Sequence, residues 1–177
     1  MTGRAHPSGE PAAWLVANRA RLPTAGRALD VACGRGRNAV WLAREGFTTT
    51  AIDRDAGAIA SLDDQARRER LPITALVADL EQERAALGDE RYDVIAVVHY
   101  LHRPLFPALV AALRPGGVLV YETFTAAQAA RGRPTNPAFL LEPGELPRLV
   151  APLEILAARE GDYEGRMVSS VVAVRPV

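Results

Sequence analysis

RALDVACGRGRN, residues 27–38, is the stretch whose reading decides the fold. Its first half is a short apolar run of the kind that forms a buried strand, expected over 27–33. Its second half breaks at Gly34 and Gly36, where glycine lets the backbone take positive φ and pass close to a ligand. Residues 38–45 then read as a helix stopped by Gly46. The unit is therefore strand, glycine turn, helix. Inside the strand, four positions before the first turn glycine, stands a carboxylate, Asp30.

Working outward, the same alternation repeats. Residues 47–53 (FTTTAID) are rich in β-branched side chains, and 56–70 carry Ile59, Leu62 and Ala66 at helical spacing before Pro72. Strands are expected at 73–79 and 92–98, separated by an acidic stretch, 81–90, with room for a short helix. Pro104 suits a first helical turn, and Leu105, Leu109 and Leu113 recur every four residues until Pro115, Gly116 and Gly117 force a turn into a strand at 118–124. Residues 125–143 hold three prolines and no clean period, so an ordered loop is expected there. A short helix at 144–150 leads to strands at 153–159 and 167–174, joined by a hairpin across 161–165. Upstream, 12–22 reads as an amphipathic helix. Strands separated by helices imply a mostly parallel sheet covered on both faces, with ligands beyond the carboxyl ends of the strands.

Composition excludes several mechanisms. The 177 residues suit one domain burying roughly 70% of its unfolded surface. All 21 basic residues are Arg, balancing 21 acidic ones, so lysine Schiff-base chemistry and lysine phosphate loops are out, and nothing in the net charge favours nucleic acid or anionic lipid. A single cysteine, Cys33, forbids intrachain disulfides and fits a reducing, cytoplasmic setting. Residues 1–11 read as a flexible polar leader without a signal-peptide core, and 12–177 as one domain. No apolar run approaches the roughly 20 residues that span a bilayer.

The strand ends carry the chemistry. Asp30 beside a helix N-terminus would repel a pyrophosphate, whereas it suits a ligand bearing an ammonium and a sulfonium, as S-adenosylmethionine (SAM) does. Asp53 ends the second strand, where a carboxylate accepts from both ribose hydroxyls, or else, with Asp55, only caps the next helix. Asp79 ends the third, either near an adenine amino group or as an ordinary turn aspartate. His99 follows the fourth strand, as a general base or as a hydrogen-bonded structural histidine. With His102 it forms a His-x-x-His pair, but the only other histidine is His6 in the leader, and no metal site is expected. Arg131 and Arg133 in the irregular loop either grip an anionic substrate or are plain surface arginines.

The ordered series of residues 30–38, Ala51-Ile52-Asp53, Ala78-Asp79-Leu80, Tyr92-Asp93-Val94-Ile95 and Leu113-Arg114-Pro115-Gly116-Gly117 resembles class I SAM-dependent methyltransferases. Within them, LDVACGRGRNAVWLA (29–43) is similar to the small tellurite-resistance and thiopurine methyltransferase-like branch. The resemblance implies an α/β, Rossmann-like three-layer sandwich with a seven-stranded sheet of order 3-2-1-4-5-7-6, strand 7 antiparallel. It implies an enzyme that binds SAM and releases S-adenosyl-L-homocysteine (SAH). The implied cofactor contacts are Asp30, Ala32, Cys33, Gly34, Gly36, Asn38, Asp53, Arg54, Asp79, Leu80 and Val98, with Val98 and His99 beside the reactive methyl. Arg131, Arg133 and His102 are the candidate acceptor residues. No Asn-Pro-Pro-Tyr type motif follows the fourth strand, which disfavours nucleic-acid and glutamine N-methylation. Since the core sheet consumes most of the chain, the expected acceptor is a small molecule met by a monomer or homodimer. A SAM-binding sensor without catalysis, and a nicotinamide-dependent oxidoreductase, are the alternatives.

Overall fold

The computed structural model describes residues 9–83, 87–89 and 91–177. Most of the expected leader and part of the acidic stretch 81–90 lie outside the described residues. Seven strands form one sheet: β1 (Gly26–Val31), β2 (Phe47–Asp53), β3 (Ile73–Val77), β4 (Tyr92–Val98), β5 (Leu113–Phe124), β6 (Glu154–Tyr163) and β7 (Arg166–Val174). Their order is β3-β2-β1-β4-β5-β7-β6, with β7 antiparallel to both of its neighbours and the other pairings parallel. The helices are α1 (Ala13–Ala17), α2 (Arg37–Arg44), α3 (Ala56–Glu69), α4 (Phe106–Ala112) and α5 (Glu145–Leu149).

The central strands are buried on both faces because both are apolar, and period-2 alternation divides them between two cores. Leu29, Val31, Ile95, Leu119 and Tyr121 meet α4 and α5 through Phe106, Leu109 and Leu146. Ala28, Val94, Ala96 and Val120 meet α1 and α2 through Trp14, Leu15 and Leu42. Helix α3 packs Ile59 and Leu62 against Ala39, Val40 and Ala51. It starts where the Asp55 carboxylate accepts from the amides of Gly57 and Ala58 at 2.9 and 3.0 Å. The sheet reverses its order between β1 and β4, which puts the crevice for a ligand above their carboxyl ends. Among the described residues, no helix is long and apolar enough to cross a membrane.

Several element boundaries differ from the sequence expectation, each for a local reason. The helix expected over 12–22 divides into α1 and a 3-10 turn, Arg19–Arg21, because Asn18 donates its side-chain amide to Trp14 O at 2.8 Å and ends the first piece. The turn expected at Pro115 to Gly117 lies within β5 as a bulge, with the register against β4 shifting between Tyr92 and Val94. Gly117 allows this, since a Cβ there would sit 2.9 Å from the carbonyl oxygens of both Arg114 and Tyr92. The last hairpin is tighter than expected: β6 continues to Tyr163, and Glu164 and Gly165 turn the chain with φ of 54° and 76°. The expected loop 125–143 contains 3-10 turns at Ala126–Ala130 and Pro137–Phe139 and is closed by a bridge between Thr125 and Leu141.

Candidate active site

Beyond Val31 the chain leaves the sheet through Ala32, which takes φ of 52°, and turns through Gly34 and Gly36 into α2. Cys33 N donates to Ile52 O at 3.0 Å and Gly36 N to Cys33 O at 2.9 Å. The ends of β1 and β2 are tied by Asp53, whose Oδ2 accepts from Gly34 N at 2.7 Å while Oδ1 accepts from Asp55 N at 2.9 Å. Asp79 is held likewise, accepting from Glu81 N at 3.0 Å. Both carboxylates are thus oriented by backbone amides before any ligand arrives.

These ends open into a cleft of about 820 Å³, within the range of small-molecule sites. Of the residues singled out from sequence, Ala32, Asp53, Arg54, Asp79, Leu80, His99 and Arg133 line it. Ile52, Ala78 and Leu80 supply apolar surface beside the two carboxylates. Acceptors for ribose hydroxyls next to an apolar slot are what an adenosine group requires, so these residues fit SAM.

The other candidates lie behind or beside the cleft wall. Asp30 is buried, with Oδ2 accepting from Ala39 N in the first turn of α2 at 2.9 Å. Asn38 is buried and its Oδ1 accepts from Ala12 N at 2.9 Å, tying the start of α1 to the start of α2. Cys33 packs with Val40 and Leu62. Gly36, at φ of 79°, faces Leu62. Val98 packs among the apolar residues on the α1 side of the sheet. His102 precedes the 3-10 turn Arg103–Leu105, with Nε2 buried and no hydrogen-bond partner among the described residues. Arg131 is drawn to β6 by an ion pair with Asp162.

A family model described as a methyltransferase domain matches residues 28–117, just over half of the chain. The chain belongs to the methyltransferase domain family. The methyltransferase domain is 31% identical over 160 residues to hemagglutinin 1 of Eikenella corrodens, covering 85% of this chain and 51% of that protein. It is 29% identical over 102 residues to a probable SAM-dependent methyltransferase, TehB, of Haemophilus influenzae, covering 56% and 35%. It is 34% identical over 120 residues to trans-aconitate 2-methyltransferase of Delftia acidovorans, covering 63% and 42%. The chain therefore spans about half or less of the length of these relatives. The crystal structure of the Haemophilus influenzae TehB superposes with a TM-score of 0.72 at 21% identity, over 92% of this chain and 61% of that one, and shares the fold. The domain is a class I SAM-dependent methyltransferase similar to TehB, and the cofactor of its family is SAM.

Burial sets the electrostatics of the domain. Asp30 is 1% exposed, and the loss of solvation raises its carboxyl to about 7, against the lowering influence of Ala39 N–H and Arg37. Burial also pushes the Cys33 thiol up, with the charges of Asp30 and Asp53 adding to it. Tyr100, which lines the cleft near Glu81 and Asp79, is raised to about 12, mainly by burial.

Past β4 the backbone of His99 takes φ of 57° while its amide donates to Glu122 O at 2.8 Å, and its ring stacks on Phe124 with centroids 4.6 Å apart. Residues that the sequence reading did not name complete this half of the cleft, at the strand ends and in the loop where it placed the acceptor: Tyr100, Thr123, Phe124, Asn136 and Phe139. Tyr100 and Phe124 were within reach of the rule that strand ends carry the site. Phe139 had a weaker signal, an aromatic between prolines in a polar loop. Arg103 had none. It binds Glu145 through Nε and a terminal nitrogen at 2.6 and 2.8 Å, and donates to the carbonyls of Ala138 and Leu140 at 3.2 and 2.9 Å. Its partners, 35 to 42 residues downstream, strap the loop across the end of β4.

Proposed function

We propose that the protein transfers the methyl group of SAM to a small-molecule acceptor bound in the same cleft. The observation that carries this reading is the continuity of one cleft from the oriented carboxylates at the ends of β2 and β3 to the aromatic end of β5 and the strapped loop. When bound, SAM supplies an electrophilic methyl carbon on a positively charged sulfur. Asp53 holds the ribose, Leu80 and Ile52 flank the base beside Asp79, and the backbone at Ala32, with Asp30 behind it, receives the amino-acid end. Displacement at the methyl carbon needs the nucleophile in line, so the chain's task is alignment rather than covalent catalysis. His99 stands where the two halves of the cleft meet, and takes the proton when the acceptor has one to lose.

The size of the cleft supports a small acceptor, as does a relative named for methylating trans-aconitate, a small organic acid. The balanced charge supports the absence of a nucleic-acid partner, and the single unpaired cysteine supports a cytoplasmic setting. Calorimetry with SAM, SAH and NADH in parallel, followed by detection of SAH formed with a panel of small acceptors, tests the reading. SAH binding and turnover are expected. Binding of NADH without SAM would reverse the assignment, and SAH binding without turnover on any acceptor would make the protein a sensor.

A further inference from the structure

We propose that the acceptor is an organic carboxylate with a flat apolar body, its body lying against Phe139 and Phe124 and its carboxylate gripped by Arg133. The inference rests on the cleft being the methyl-transfer site. Three independent observations meet in it. First, the two arginines of the loop part company: Arg131 is consumed by Asp162, whereas Arg133 lines the cleft and its guanidinium has no hydrogen-bond or ion-pair partner among the described residues. An unpaired guanidinium in a concave site is a ready bidentate partner for a carboxylate.

Second, Phe139 is 48% exposed although both of its neighbours are pinned, because the carbonyls of Ala138 and Leu140 accept from Arg103. Asn136 accepts from Ala138 N at 3.0 Å and caps the same turn. The ring is therefore held out by a fixed loop and lines the cleft, where only a ligand would cover it. With the His99–Phe124 stack it provides flat apolar surface.

Third, charge is divided along the cleft. The lining carboxylates, Asp53 at the end of β2 and Asp79 and Glu81 after β3, outnumber the one arginine beside them, Arg54, whereas the lining residues from β5 and the loop after it include Arg133 and no acid. The ends of β2 and β5 are three strand spacings apart, roughly 14 Å, so a carboxylate at the β5 end avoids the donor-side acids. An acidic acceptor is thereby steered to one end of the cleft and repelled from the other.

The test titrates SAH-saturated protein with benzoate, phenylacetate, trans-cinnamate and indole-3-acetate, each paired with its neutral primary amide, by calorimetry and saturation-transfer NMR. At least one acid is expected to bind about tenfold more tightly than its amide. Arg133→Met should erase that preference, and Phe139→Ala should weaken acid and amide alike, with SAH affinity unchanged in both variants. If every acid binds no better than its amide, or if Arg133→Met keeps the preference, the inference is overturned while SAH binding leaves the methyltransferase reading standing. If wild-type protein does not bind SAH, that reading falls and the inference falls with it.

Discussion

Replacing Gly36 by alanine tests whether this glycine serves the cofactor or the packing of α3. At φ of 79° an L-residue is strained, at a cost of about 1–2 kcal/mol. A Cβ at this position would fall on both δ-carbons of Leu62 and 2.9 Å from its Cγ, where carbon atoms normally stay about 3.5–4.0 Å apart. Leu62 is completely buried and has nowhere to swing, so overpacking adds about 1–3 kcal/mol. The predicted cost of Gly36→Ala is therefore about 2–5 kcal/mol. Gly34 is the internal control: its φ of 55° is also positive, but a Cβ there meets nothing within 4 Å, so Gly34→Ala should cost only the strain, about 1–2 kcal/mol. Urea denaturation measures both. Leu62→Ala, itself costly as a cavity, should combine with Gly36→Ala to less than the sum by at least about 1 kcal/mol, since it removes the atoms in the way. Equal losses for the two glycines, together with additivity at Leu62, would refute the packing argument and return Gly36 to a role at the cofactor.

Asp53→Ala should weaken SAH binding by about 1–3 kcal/mol in a folded protein, since it removes a charged acceptor already oriented by Gly34 N and Asp55 N; calorimetry showing unchanged affinity would take Asp53 out of the site. Asp30 keeps its proton to about pH 7 in the folded state against 3.8 as its reference, so between about pH 4 and 7 the native state holds a proton that the unfolded chain has lost. Its contribution to stability is fully present below pH 4 and is lost as the pH rises through 7, by up to about 4 kcal/mol at 1.36 kcal/mol per unit. Asp30→Asn should remove that slope, and a stability difference from wild type that stays constant from pH 4 to 8 would count against it. Arg103→Met should cost about 1–2 kcal/mol, reduced by partial exposure, and speed amide exchange across 138–145. In wild type the Arg103 hydrogen bonds hold the Glu145 carboxyl below its ordinary value, a stabilisation present above that value and lost as the pH falls through the acid range; the variant should lose this acid-side dependence, and exchange rates equal to wild type would show that the strap does not hold the loop.

What the sequence determined by itself was local. Period-2 apolar runs, 3.6-period runs and glycine or proline breaks depend on neighbours a few residues away, so the alternation of strands and helices and the placement of Asp53, Asp79 and His99 at strand ends could be read directly. The strand order came from the likeness of the ordered motifs to a family, not from periodicity, because pairing in a parallel sheet joins segments whose local patterns are alike. Tertiary structure alone decided which polar groups are consumed by one another. It spent Arg131 on Asp162 and left Arg133 in the cleft, withdrew Asp30 under α2, set Leu62 against Gly36, and brought Arg103 to carbonyls 35 and 37 residues away. The physical reason is that a guanidinium or carboxylate carries the same signal in sequence whether it meets water, a backbone amide or an opposite charge; the packing of distant elements chooses among them.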